Sequence, residues 1–335
     1  MFEIPLLLFL IVLTALIFDF TNGAHDCANA IATVVSTKVL SPRTAVAMAA
    51  TLNLMGALLG TEVAKTLGGG LVHQSMVDGC QILVFAALIG AIAWNVLTWC
   101  LGIPSSSSHA LIGGLLGAAY GHAGFGAINF QGVINKVVLP FIGSPLAGFC
   151  AGFFVMFVIY WVCARTLRRK VNAWFRKLQI VSAGFMALSH GLNDAQKTMG
   201  VITLALLLFG YIDTVEVPLW VKLCCASAMS LGTAIGGWKI VKTMGNRIFK
   251  LEPVHGFATE TATGIVISCA SLIGAPVSTT HTVSAAIFGV GSSKRLNAVR
   301  WGVAGQLVVA WVLTLPCAGV VGAVSYYILS LIFPG

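Results

Sequence analysis

Charge is what this sequence has least of. Asp, Glu, Lys and Arg together make up 9% of 335 residues, where soluble domains carry about a quarter. So few charges cannot build a water-facing surface. Polar segments are short as well. The longest, Arg165 to Lys177, reads as a loop, so no separate soluble domain fits. The nine cysteines form no CxxC pair and show no metal-ligand spacing. Most lie in apolar runs, where Cys serves as a small hydrophobe. Ahead of the first apolar run there is Glu3 and no basic segment, so Met1 to Phe18 reads as a membrane span rather than a secretory signal.

What is present is apolar sequence in long continuous runs, such as Leu6 to Phe18, Ile82 to Cys100 and Val303 to Leu331. A helix crossing the hydrocarbon core needs roughly 20 residues of this kind. Outer-membrane strands would alternate apolar and polar positions, which excludes a barrel. The net charge of +9 is explained by Lys and Arg in cytoplasmic loops rather than by a nucleic-acid partner.

The chain repeats itself. Asn22-Gly-Ala-His-Asp-Cys-Ala-Asn29 resembles His190-Gly-Leu-Asn-Asp-Ala-Gln-Lys197, with Gly23 matching Gly191 and Asp26 matching Asp194. Gly102-Ile-Pro-Ser-Ser-Ser-Ser-His109 matches Gly274-Ala-Pro-Val-Ser-Thr-Thr-His281. A weaker pair joins Lys65-Thr-Leu-Gly68 to Lys242-Thr-Met-Gly245. Three pairs in one order at nearly constant spacing indicate a duplication.

Loop charge orients the copies. The loop at Lys38 and Arg43 is basic, and that from Glu62 to Asp78 is not. In the second half the loop at Asp213 and Glu216 is acidic, while Lys239, Lys242, Arg247 and Lys250 make its successor basic. Arg165 to Lys177 and Lys294 to Arg300 are basic too. Since basic loops lie in the cytoplasm, the halves are inverted and each crosses an odd number of times. The expectation is an all-α polytopic inner-membrane protein with residues 1–164 as first repeat, 165–178 as basic cytoplasmic linker and 179–335 as second repeat. Both termini lie outside. Crossings fall near 4–37 (long and broken), 44–60, 81–101, 103–120 and 138–164, then 179–209, 218–238, 257–274, 276–291 and 300–331. Inverted repeats with broken or re-entrant helices are the build of many secondary transporters.

Two elements carry chemistry. Asp26 and Asp194 are carboxylates inside apolar segments at equivalent places, and intramembrane carboxylates mark functional sites or paired structural groups. Asn22, His25 and Asn29 flank the first; His190, Asn193, Gln196 and Lys197 flank the second. Asp26 and Asn29 share a helix face and offer the oxygens a hard cation such as sodium prefers. Gly23 and Gly191 permit an unwound backbone there. The second element is the pair of Pro-Ser/Thr-His segments. Ser105, Ser106, Ser107 and Ser108, with Ser278, Thr279 and Thr280, supply two hydroxyl-rich helix N-termini, which attract anions. Ordinary capping is the plainer reading of either run alone. Facing each other across inverted halves, they make a cage for a tetrahedral oxyanion. A cation or proton between that anion and the carboxylates makes the site tenable, and the coupling is reciprocal. His109 and His281 are proton carriers or hydrogen-bonding groups. Asp19, Asn53, Asn95 and Glu260 are further candidates. Asp19 supports the first motif, and Glu260 reads as interfacial.

These residues resemble the inorganic phosphate transporter (PiT) family, whose repeats carry a Gly-Ala-Asn-Asp-Val-Ala-Asn-Ala signature. The copies here read Gly23-Ala-His-Asp-Cys-Ala-Asn-Ala30 and Gly191-Leu-Asn-Asp-Ala-Gln-Lys-Thr198. The resemblance implies phosphate symport, signature Asp residues in ion and substrate binding, a homodimer and about twelve helical segments. No cofactor is expected. Sodium at Asp26, Asn29 and Asp194 would follow for sodium-coupled members. Lys197 departs from their Asn, and an ammonium cannot ligate sodium. That favours proton coupling, with phosphate carried together with a divalent metal. Rival readings are another oxyanion such as sulfate, a passive channel, and a hydrolase using Ser105 to His109.

Overall fold

The computed structural model describes residues 5–67, 70–73, 76 and 80–333. Gly68 of the third repeat pair, Glu3 and Asp78 lie outside them. Among the described residues the secondary structure is helical apart from turns and a single β-bridge, Val72 with Ile128.

The first half runs α1 (Leu6–Ser36), α2 (Pro42–Leu58), α3 (Glu62–Leu67), α4 (Gln81–Leu101), α5 (Ser107–Ala123) and α6 (Phe130–Val162). The second runs α7 (Arg168–Leu208), α8 (Leu219–Ile235), α9 (Trp238–Arg247), α10 (Pro253–Leu272), α11 (Thr279–Lys294) and α12 (Trp301–Ile332). The elements correspond one to one. Helices α2 and α8 each have 17 residues, and α5 and α11 have 17 and 16. Helices α1, α4, α6 and α12 are each long and apolar enough to cross a bilayer, and α8 with α9 does so as a pair bent by 61°.

Burial is greatest along the two signature helices. Every residue of α1 from Thr21 to Val34 is buried, and so is most of α7 around His190 to Gly200. The outer helices α6 and α12 instead expose Phe154, Phe157, Trp161, Val309, Ile328 and Leu331, as lipid contact requires. Contacts cross between halves: α1 packs on α8 and α7 on α2, while α6 packs on α11 and α12 on α5.

Three sequence expectations change. First, α1 and α7 pass through both signatures unbroken. Gly23 and Gly191 serve close helix crossings instead of an unwound backbone. A Cβ on Gly23 would stand 2.2 Å from the Met229 carbonyl oxygen, and one on Gly191 2.2 Å from that of Asn53. Second, the breaks precede α5 and α11. These helices begin at Ser107 and Thr279, inside the protein, so 103–120 and 276–291 are not simple crossings. Each spans only about 25 Å at 1.5 Å per residue, short of the roughly 30 Å hydrocarbon core. Third, the basic stretch is not a loop. From Arg168 it is the opening of the 41-residue helix α7.

Candidate functional site

The site forms where α1 and α7 meet the N-termini of α5 and α11. Ser106 caps α5 by accepting from His109 N at 3.3 Å, and Ser278 caps α11 by accepting from His281 N at 3.3 Å. Capping frees the next two hydroxyls of each helix to point inward. Ser107 donates to Asp26 Oδ2 at 3.2 Å, and its counterpart Thr279 donates to Asp194 Oδ2 at 2.9 Å. The second hydroxyls reach across. Thr280 donates to Asp26 Oδ1 at 3.3 Å. Ser108 instead accepts from Lys197 Nζ at 2.5 Å, and Lys197 donates to Asp194 Oδ1 at 2.5 Å and to the Val277 carbonyl at 3.1 Å. Asn29, at the position matching Lys197, donates to Thr280 at 2.9 Å and Thr279 at 3.2 Å. The two halves thus build the same cage, with an amide at one corner and an ammonium at the other.

Two histidines complete it. His25 Nδ1 lies 2.7 Å from Asp26 Oδ1, and its Nε2 is 3.1 Å from Thr98 and 3.3 Å from Ser105. His190 Nδ1 lies 3.2 Å from Asn53 Oδ1. Its Nε2 is 3.1 Å from Asp194 Oδ2 but off the hydrogen-bond direction. Ligand atoms of Asp26, His190 and Asp194 all fall within 4.8 Å of one another, a set able to hold a metal ion. Everything here is shut from solvent: Asp26 is 3% and Asp194 1% exposed. In such surroundings two carboxylates facing one ammonium attract further positive charge, and the two helix N-termini attract negative charge.

Other predicted residues stand apart from this centre. His109 and His281 stack on each other at 4.9 Å, with Trp311 4.2 Å from His281, and touch neither Asp. Asn193 turns to Ser271, donating at 2.8 Å. Asn22 lies beside Asp19. Asn95 is buried with neither side-chain polar atom hydrogen-bonded. Glu260 is not interfacial. It is buried and accepts from Thr33 (2.6 Å), Gln179 (2.9 Å) and Ser182 (2.5 Å). Sequence reasoning missed Thr98, Gln179 and Ser182, which carry no motif and act only through partners distant in the chain. The one signal available was a polar side chain inside an apolar run.

A family model described as "Phosphate transporter family" matches residues 22–170 and again 163–322. A Bacillus subtilis protein described as a probable low-affinity inorganic phosphate transporter is 46% identical over 98% of both chains. A Rhizobium meliloti protein with the same description is 48% identical, again over 98% of both. A solved structure titled "The sodium-dependent phosphate transporter" superposes with a TM-score of 0.86 at 24% identity, covering 98% of this chain and 100% of its own. At that identity the likeness is one of fold.

Proposed function

The chain belongs to the phosphate transporter family, and from that premise we propose that it is a secondary active symporter of inorganic phosphate. Phosphate sits between the N-termini of α5 and α11, held by Ser107, Ser108, Thr279 and Thr280. Alternating access about this occluded site fits the burial of every group in it better than a passive channel does. A protonated phosphate donates a hydrogen bond to Asp26 or Asp194, which sulfate at neutral pH cannot do; a buried acceptor left unpaired is a strong basis for rejection. The hydrolase reading has no support in a family of carriers. We place the protein in the plasma membrane, as a homodimer with both termini outside.

The observation that carries the coupling is Lys197. Its ammonium touches Asp194, Ser108 and the Val277 carbonyl, an oxygen set that would otherwise suit a cation. One of two cation places is therefore filled by the chain itself, which leaves the Asp26 and Asn29 side for a single coupling cation, a proton or sodium. Phosphate uptake into proteoliposomes tests this. Accumulation above equilibrium is expected under an imposed pH gradient without sodium. Strict sodium dependence at fixed pH would reject proton coupling, and failure to accumulate under either gradient would reject symport.

A second reading concerns the form of the substrate. Two carboxylates and an imidazole, from Asp26, Asp194 and His190, suit a divalent first-row metal. Phosphate arriving as its metal complex would bring that ion. Uptake should then carry manganese with phosphate, and unchanged uptake in chelator rejects this form.

A further inference from the structure

The polar face of α1 extends beyond the central site. Asp19, Asn22, Asp26, Asn29 and Thr33 recur at helical spacing on one side of an apolar helix, and all are buried. Asp26 and Asn29 serve the central cage, and Thr33 donates to Glu260. Asp19 and Asn22 remain.

Asp19 is fully buried, and neither carboxylate oxygen has a partner at full hydrogen-bond distance and angle; only Thr198 and Asn22 stand near enough to donate weakly. Asn22 and, from α7, Thr198 lie against it. Asn22 Oδ1 and Thr198 Oγ1 are likewise buried and unpartnered. A carboxylate, an amide and a hydroxyl therefore cluster in a buried place with no well-formed hydrogen bond among them. Buried polar groups are nearly always satisfied, and each exception needs an explanation. Glu260, on the other side of Asp26 along α1, supplies the contrast. Its carboxylate is saturated by three well-formed donors, whereas Asp19 has no donor at full hydrogen-bond geometry. The position matching Asp19 in the second half, 168 residues on, is Ala187, so the feature belongs to one side only.

We propose that Asp19, Asn22 and Thr198 form a station for a hard monovalent cation. It lies two helical turns, about 10 Å, along α1 from Asp26. The donors are a carboxylate, an amide and a hydroxyl, the oxygen set hard cations prefer. The charged and titratable groups facing Asp19 are Asp194 and Lys197 on α7 and Cys225 on α8. With the Lys197 ammonium nearby and one carboxylate at hand, a single positive charge is matched and a divalent ion is disfavoured. Sodium and a hydrated proton share this chemistry. The station gives the coupling ion a resting place on its way to the central cage, and so rests on the cation-coupled reading above.

Thermal unfolding of the purified protein in phosphate-free choline chloride tests it. One arm titrates sodium chloride at about pH 8; the other lowers pH to about 6 without sodium. The wild type is expected to gain stability in one arm, which identifies the source of the charge. Asp19→Asn should remove at least about half of that gain, and Thr198→Val should raise the half-saturating sodium concentration or shift the pH midpoint. If Asp19→Asn does not yield folded protein, Thr198→Val carries the comparison. No gain in either arm for the wild type, or gains unaltered in both variants, overturns the station. Phosphate-induced stabilisation of the wild type in the same assay reads the central site separately, and its absence counts against the carrier reading.

Discussion

Replacing Lys197 by Asn gives the second half the residue that the first half has at Asn29. The ammonium holds Asp194 and Ser108 at 2.5 Å each. Without it, the Asp194 carboxylate keeps the Thr279 hydroxyl at 2.9 Å and a misaligned His190 at 3.1 Å. Stranding one partner of a buried ion pair costs about 3–5 kcal/mol. At about 2.1 cal/mol/K of unfolding entropy per residue, a chain of 335 residues loses roughly 1.4 °C of melting temperature per kcal/mol, so Lys197→Asn in choline chloride should melt about 4–7 °C below wild type. The oxygens left behind, from Asp194, Ser108 and Val277, then form an open cation place. Sodium at a hundred times its dissociation constant would restore about 2.7 kcal/mol, more than half of the loss. Melting curves in choline and in sodium chloride read both quantities. Equal stability in choline would show that Lys197 does not hold Asp194. A loss that sodium fails to reverse would show that these oxygens make no cation site.

Three further outcomes are expected. Asp26→Asn and Asp194→Asn should each lower phosphate uptake at least about tenfold, since each removes acceptors of charge-assisted hydrogen bonds; normal uptake in both rejects the site. Gly23→Ala and Gly191→Ala should each lose about 1–3 kcal/mol or more from overpacking, because a Cβ at either meets backbone at 2.2 Å, while Gly305→Ala, which faces open space, should melt like wild type. Ser278→Ala removes the cap of α11 and should cost about 1 kcal/mol, read as a melting shift of roughly 1–2 °C together with weaker phosphate-induced stabilisation.

Much of the centre was legible because duplication wrote it twice. Asp26 with Asp194, and Ser107 with Thr279, are equivalent in sequence and do equivalent jobs in space. The helix breaks were misplaced for a physical reason. A glycine in an apolar segment permits either an unwound backbone or a close crossing, and only the facing helix decides. For Gly23 that helix is α8 and for Gly191 it is α2. Glu260 was misjudged for the same reason: its donors come from α1 and α7, far away in sequence. The stretch from Arg168 to Lys177 read as a loop because charge was weighed over the helix propensity of Arg and Lys.

The crossing of α6 onto α11 and of α12 onto α5 means that each half covers its own short inner helix only in part and relies on its twin for the rest. Each half depends on its twin for a complete core, so co-expressed halves should assemble while either alone is degraded. By contact, the helices group as mixed sets, α4, α5 and α12 in one and α6, α10 and α11 in the other, rather than as the two lengths of chain.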